Sequence, residues 1–295
     1  MNIPEEIWKL GEERAAARQA RDFALADRLR DRLAELGWEI FDQTGTFELR
    51  EKLKYRVVEN LRAITSIIEP SEIAIAMIVQ GFEEDAVATT ESIRQFTDVP
   101  VVLLSLDAVG PLVDVIDAHT VVIKVKEECG WGPAANALLQ NIPSRFLVIM
   151  DPSTRFFGDA ITPVLEQLNK GVFAGVGWKG GLINLDDDWR SVDDKGPGEV
   201  DVLFSYFLAL DRQAAIEVGG FNARALYYRN ADVEFSLRMR HAGGHLLQMD
   251  LPLKQARHHE YHDVDPDFRE VQSKKNYDRI LGRFRGKNAI LSPRR

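Results

Sequence analysis

Two acidic residues, Asp232 and Glu234, stand one residue apart where a helical pattern begins. They follow the stretch Gly219-Gly220-Phe221-Asn222 and the aromatic pair Tyr227-Tyr228. A carboxylate in a crevice can take a proton from a hydroxyl, whereas an acid at a helix start also serves simply to satisfy unpaired backbone N–H groups. A third acid, Asp151, closes the apolar run in "VIMDPSTRF", and Pro152, Ser153 and Thr154 turn the chain away from it. A carboxylate at such a strand end can hold Mg²⁺ or Mn²⁺ against phosphate oxygens, or it can cap the next segment.

Other strand-end residues have weaker chemical signatures. Gln80 and Gly81 follow "IAIAMIV", at a point where backbone can approach a ligand. Asp107 follows "PVVLLSL" and can accept hydrogen bonds from a ribose or base, or close a local turn. "CGWGPAANALL" opens a helix with Gly-x-Gly-Pro, whose backbone donors suit an anion, although it is neither a Walker loop nor a dinucleotide fingerprint. Three of the six histidines, His258, His259 and His262, cluster in "RHHEYH". They can bind a metal or a diphosphate, or form an exposed polar turn, and neighbouring side chains of an extended segment point apart.

The elements that must position these residues follow from periodicity. Residues 5–36 have helical composition, and Phe23, Ala26, Leu29, Leu33 and Leu36 recur as one apolar stripe before Gly37. "WEIFDQTGTFELR" is an extended piece around a Thr-Gly turn. A second helix is predicted over about Glu51 to Ile68. From Ile73 onward short apolar strands alternate with amphipathic helices, with helices near Glu84 to Phe96, from Pro133, from Asp159 and over Arg212 to Val218. "VLFSYFLAL" reads as one strand. The alternation predicts an α/β fold with a mostly parallel sheet covered on both faces, whose ligands sit at the carboxyl ends of the strands. "NLDDDWRSVDDKGPGEV" (Asn184 to Val200) has no periodicity and reads as a lid or as a solvated excursion.

Composition limits the function. The chain has 295 residues, 45% hydrophobic and 28% charged, with a net charge of -9 and one cysteine, Cys129. An internal disulfide and a cysteine-rich zinc site are therefore excluded, and a reducing cytoplasmic setting is expected. The acidic balance argues against a surface-wide nucleic-acid platform. The apolar runs are too short to span a bilayer. The stretch from Arg269 to Arg295 is basic and suits a diphosphate or peripheral contact with an anionic membrane, or simply forms a solvated helix face.

Taken together, about Ile73 to Tyr261 resembles a family-2-type glycosyltransferase of the GT-A fold. The resemblance rests on Gly219, Gly220, Phe221, Asn222, Tyr227, Tyr228, Asp232, Glu234, Arg238, Gly243 and His258 or His259. It rests also on Gly132, Ala134, Ala135 and Asn136, and on "MDPST" in the place of an Asp-x-Asp motif. It implies a nucleotide-diphosphate sugar as donor, with Gln80, Asp107, Gly132, Asn136, Asp151 and Ser153 around it and an acceptor hydroxyl of unknown parentage. In such an inverting enzyme Asp232 would be the general base and Glu234 would orient neighbours or the acceptor. The implied Mn²⁺ or Mg²⁺ would have Asp151, His258 and His259 as ligands. Departures weaken the metal: Ser153 replaces the second Asp, a hydroxyl being a poorer ligand than a carboxylate. Ala231 replaces the Glu of Glu-Asp, and Ser105 stands where an Asp usually follows the second strand.

Glu13 to Arg50 is similar to the small C-terminal helical module of cysteinyl-tRNA synthetases, through Arg14, Ala17, Arg18, Asp22, Phe23, Ala24, Ala26, Asp27, Arg30, Asp31, Leu36, Gly37, Gly45 and Thr46. The expected organisation is this module at 1–54, a connecting helix or linker at 55–72, the GT-A-like domain at 73–265 and a basic tail at 266–295. Transfer of a sugar is one reading. A non-catalytic sugar-nucleotide or partner-binding protein on the same fold, or an RNA-associated protein acting through the module, are the others. The module's near-balanced charge favours docking or oligomer formation over RNA.

Overall fold

A computed structural model describes residues 3–256 and 265–294. The chain forms two compact units, Met1–Lys54 and Tyr55–Arg295.

The first unit is a helical hairpin followed by a β-hairpin: α1 (Glu5–Gln19), α2 (Phe23–Glu35), β1 (Trp38–Gln43) and β2 (Thr46–Glu51). Arg21 takes a left-handed conformation between the helices, and the Asp22 carboxylate caps α2 by accepting from the Leu25 N–H at 3.0 Å. The strands pair antiparallel from Trp38 opposite Glu51 to Gln43 opposite Thr46, which leaves Thr44-Gly45 as the turn. Ile7, Leu33, Trp38 and Leu49 form the core. Of the expected stripe, Ala26 and Leu33 are buried, but Phe23, the first residue of α2, is exposed. Charges are largely paired within the unit: Arg14 and Arg18 with Asp42, Arg30 with Asp27 and Asp31, Arg32 with Glu35, and Arg50 with Glu48.

The second unit begins with β3 (Arg56–Val58), β4 (Ser71–Val79), α3 (Glu83–Arg94), β5 (Val101–Ser105), β6 (Thr120–Val125), α4 (Trp131–Asn141), β7 (Ser144–Met150), β8 (Thr154–Phe156) and α5 (Ile161–Leu168). It continues with β9 (Gly175–Gly177), β10 (Gly180–Ile183), β11 (Val192–Asp193), β12 (Gly198–Val200), β13 (Val202–Leu203), β14 (Phe207–Asp211), α6 (Arg212–Glu217), α7 (Ala231–His241), β15 (Leu246–Gln248), β16 (Leu253–Gln255) and α8 (Pro266–Phe284). Nine strands make one sheet in the order β12-β15-β9-β14-β7-β4-β5-β6-β3. The block from β7 to β3 is parallel, and β14 runs antiparallel between β7 and β9.

Both faces of the parallel block are covered, which is why its strands are nearly continuous apolar runs. Ala74, Ala76 and Ile78 pack with α4 on one side; Ile73, Ile75, Met77 and Val79 pack with α3 and α5 on the other. The helix expected over Glu51 to Ile68 is absent. Arg56–Val58 instead pairs parallel with Ile123–Val125 at the sheet edge, and only Leu61–Ala63 makes a short 3-10 turn. The β-branched pair Val57-Val58 suits a pleated edge, and sheet pairing overrides the local helical composition. The "VLFSYFLAL" run is also broken, into β13 and β14, with Phe204–Tyr206 between them.

The Asn184–Val200 stretch is neither featureless nor solvated throughout. Its Val192–Asp193 pairs with Leu182–Ile183, and Gly198–Val200 is an edge strand of the main sheet. The C-terminal stretch packs across this region. Asn276 of α8 donates to the Tyr227 and Arg229 carbonyls at 2.9 and 2.7 Å. Further on, the Ser292 N–H reaches the buried Asp201 carboxylate, and the Arg294 guanidinium donates to the Lys195 and Gly196 carbonyls at 2.6 and 3.0 Å.

Candidate active site

At the carboxyl ends of β4 and β7 a small cleft is lined by Gln80, Gly81, Trp131, Met150, Asp151, Pro152, Ser205 and Tyr228. It adjoins a larger cavity of about 470 Å³ that shares Asp151, Ser205 and Tyr228 and adds Asp232. The outer wall of that cavity comes from Trp189, Arg190, Ser191 and Val192 of the acidic stretch and from Tyr277 and Ile280 of α8. The cavity lining mixes apolar and aromatic side chains with a comparable number of polar and charged ones, and a few hundred cubic ångströms is the usual size of a small-molecule site.

Asp232 is only 7% exposed, in the first turn of α7. Its Oδ2 accepts from the Ser205 N–H at 2.8 Å and the Ser205 hydroxyl at 3.1 Å; its Oδ1 accepts from the Val233 N–H at 2.8 Å. These donors fix the carboxylate against the break between β13 and β14. Burial pushes its pKa up from the ordinary carboxylate range, and the Ser205 and Val233 donors only partly oppose this. The folded chain therefore binds the proton more tightly than the unfolded chain. The resulting stability is fully present below the unfolded value and is lost as pH rises through the folded one. Calorimetry across pH should therefore find the melting temperature of the parent, relative to a non-titrating Asp232→Asn variant, highest in acid and falling as pH rises. A pH-independent difference would contradict the burial argument.

Asp151 is half-buried. Its Oδ1 accepts from both the backbone N–H and the hydroxyl of Ser153, at 2.7 and 2.6 Å. One carboxylate oxygen thus caps the turn after β7, and the residue still lines both cavities. Ser153 itself is fully buried, with its hydroxyl turned to Asp151. It is not presented to a ligand. The turn is braced further by the Thr89 hydroxyl, which donates to the Pro152 carbonyl at 2.6 Å.

Four other expected site residues do different work. Glu234, 2% exposed, faces away from the cavity; both its oxygens accept from the Asn222 amide, at 2.8 and 3.0 Å, and Arg279 of α8 lies 3.6 Å away. Asn136 is spent on the same turn, donating to the Phe221 carbonyl at 2.9 Å and accepting from the Phe221 N–H at 2.7 Å. Gly132 is a packing glycine: a Cβ there would stand 2.3 Å from the Asn222 carbonyl oxygen. The N–H groups of Trp131 and Gly132 at the start of α4 donate to the Leu226 and Ala225 carbonyls, at 3.1 and 2.8 Å, so this helix end is used by protein and not by an anion. Asp107 is exposed in the loop after β5 and lines neither cavity. Gln80 and Gly81 do line the small cleft.

His258 and His259, and His262 beside them, lie outside the described residues. Among the described residues no group of three His, Cys, Asp or Glu side chains is arranged to hold a metal ion. With Ser153 turned inward and one Asp151 oxygen capping a turn, the described part of this site does not fit the two-carboxylate metal centre that an Asp-x-Asp motif would build. Nor do the cations of α8 gather at the cavity. Lys274 pairs with Asp278, and Arg279 approaches Glu234, while Arg285 beyond the helix pairs with Asp188. The helix instead gives the cavity an aromatic and an aliphatic side chain. Among the described residues no helix is long and apolar enough to cross a membrane.

Sequence reasoning missed Ser205, Trp189, Arg190 and Tyr277. Only Ser205 left a signal, as the single small polar residue in an otherwise apolar and aromatic run.

The architecture is that of the GT-A glycosyltransferases. The chain superposes on GalNAc-T7, solved with UDP, GalNAc and Mn²⁺, with a TM-score of 0.56 and 13% identity, over 71% of this chain and 48% of that one. It superposes on the mannosyltransferase PcManGT of Pyrobaculum calidifontis, solved with GDP-Man and Mn²⁺, with a TM-score of 0.54 and 12% identity, over 77% of this chain and 67% of that one. It therefore spans about half the length of the first and two thirds of the second. A 52-residue stretch is 42% identical to the cysteine–tRNA ligase of Opitutus terrae, matching 18% of this chain and 11% of the ligase. No protein-family model matches the chain.

Proposed function

We propose that this protein transfers a sugar from a nucleotide-diphosphate sugar to an acceptor hydroxyl, with inversion, and that Asp232 is the general base. The observation that carries this reading is that Asp232 and Asp151 line one cavity at the carboxyl ends of the parallel strands, where ligands of open α/β sheets bind. The nucleotide end of the donor would lie across the mouth of the small cleft beside Gln80, Gly81 and Trp131, and the sugar would pass Asp151 into the larger cavity. An acceptor hydroxyl entering that cavity gives its proton to Asp232 as its oxygen attacks the anomeric carbon, and the bond to the diphosphate oxygen breaks with both electrons leaving on the diphosphate. Two features suit Asp232 to the task. Ser205 and Val233 fix its orientation, and burial strengthens it as a base.

Both structural neighbours were solved with Mn²⁺, whereas among the described residues here no group of three His, Cys, Asp or Glu side chains is arranged to hold a metal ion. We expect chelation to leave donor consumption within about twofold of its untreated value, a loss well below the 10²–10⁴-fold typical of removing a catalytic group. Assaying UDP-, GDP- and dTDP-sugars with and without EDTA tests both donor class and metal use. A steep loss on chelation would overturn this expectation.

A second reading, a sugar-nucleotide binder without turnover, is favoured by one observation: the inward-turned Ser153. It predicts a thermal shift with nucleotide sugars and no donor consumption.

A further inference from the structure

Asp188 and Trp189 are consecutive non-glycine residues in the left-handed region, with φ of 64° and 70°. Such conformations are strained for residues that carry a Cβ and persist only where the surroundings hold them. Here the surroundings do so. Asp188 pairs with Arg285, whose Nε donates to it at 3.0 Å, and the Tyr277 hydroxyl donates to the Trp189 carbonyl at 3.4 Å. Asp187 accepts from the Arg190 N–H and the Ser191 hydroxyl, at 2.8 and 2.5 Å. The strained turn buries Trp189, 4% exposed, in a satellite core and brings Arg190 to the cavity wall beside it.

Arg190 differs from the arginines around it. Arg238 and Arg240 bind backbone carbonyls, Arg279 approaches Glu234, and Arg285 and Arg294 hold Asp188 and the 195–196 carbonyls. Among the described residues the Arg190 guanidinium makes no hydrogen bond or close ion pair; its charge is felt only at longer range by Asp187 and Tyr277, and it lines the same cavity as Asp151 and Asp232. A planar guanidinium on a cavity wall, with its donors uncommitted, matches a carboxylate or phosphate in geometry and charge. The exposed Arg229 adds a second positive residue to the same lining.

We propose that the acceptor is a small hydroxyl compound bearing an anionic group, and that Arg190 receives that group while the hydroxyl points to Asp232. The inference rests on the reading of the cavity as a transferase site, and it names the acceptor's chemical class. The apolar wall of Ile183, Phe204 and Ile280 would cover the carbon skeleton, and Arg190 would exclude neutral analogues by leaving its charge unmatched.

Matched probes test this by binding, independently of turnover. Thermal shifts are measured in saturating UDP or GDP with glycerol beside glycerate and glycerol 3-phosphate, and with glucose beside glucuronate and glucose 6-phosphate. The anionic members should stabilise the protein and the neutral members should not; the two anionic arms tell carboxylate from phosphate. Arg190→Ala should weaken the anionic probes about tenfold or more, and Arg190→Lys should restore part of the loss. Asp232→Asn should keep the preference. Absence of an anionic preference in both series, or unchanged affinity in Arg190→Ala, overturns the proposal. If the preference is present but Asp232→Asn consumes donor at the parental rate, Arg190 retains its role and the base assignment falls, so the two failures are distinct.

Discussion

Asp232→Asn should lower donor turnover by about 10²–10⁴-fold while leaving nucleotide affinity within a few-fold of the parent. The amide occupies the same volume and can still accept from Ser205, so the position after β13 remains braced, but it cannot take the acceptor's proton. The nucleotide is proposed to bind toward Gln80, Gly81 and Trp131, which line the neighbouring cleft and not the wall that holds Asp232. The loss should therefore fall on kcat and not on donor KM. Measuring kcat by release of nucleoside diphosphate, together with nucleotide affinity by calorimetry, decides the matter. Parental turnover in this variant removes Asp232 from the mechanism.

Glu234→Ala should fail in the opposite manner, by loss of folding stability. Glu234 is buried, its oxygens hold the Asn222 amide, and Arg279 stands beside it. Truncating it leaves a half-buried amide without its acceptor and a guanidinium without the carboxylate beside it, a loss on the order of 3 kcal/mol. The melting temperature should drop by several degrees for a domain of this size, whereas Asp232→Asn should not show such a drop at neutral pH. A variant with a parental melting curve would show that the Asn222 turn does not depend on Glu234. Two acids one residue apart on α7 thus separate into one that faces the cavity and one that fastens the chain behind it. A step of two residues along a helix turns a side chain through more than half a revolution, so the two cannot share a face.

The parallel half of the fold was legible in the sequence because its strands are buried on both faces. "IAIAMIV" and "RFLVIMD" have no other economical reading, and the helices between them carry an apolar stripe. The strand ends were legible for the same reason, which brought Asp151 into view, whereas Asp232 was marked by the Gly219-Gly220-Phe221-Asn222 stretch and the acidic start of a helix. The Arg56–Val58 strand was hidden because its pairing partner, Ile123–Val125, is more than sixty residues away and local composition there favours a helix. Asn136 and Gly132 read as ligand contacts because their motif spacing says nothing about which groups the backbone turn at Phe221 and Asn222 will claim. The outer wall was hidden for a different reason. Trp189, Arg190, Tyr277 and Ile280 come from two segments about ninety residues apart, and what joins them is the Arg285–Asp188 pair and the Tyr277 bond to the Trp189 carbonyl, neither of which has a local sequence signature.

The attachment of α8 and the segment after it also bears on the order in which the protein is made. Every strand of the nine-stranded sheet lies before residue 249, whereas Tyr277, Ile280 and the Ser292 and Arg294 fastenings come afterwards. During synthesis the sheet can therefore close while its cavity is still open along one side. The proposed acceptor pocket would be completed only once residues 266–294 have left the ribosome, later than the sheet that carries Asp151.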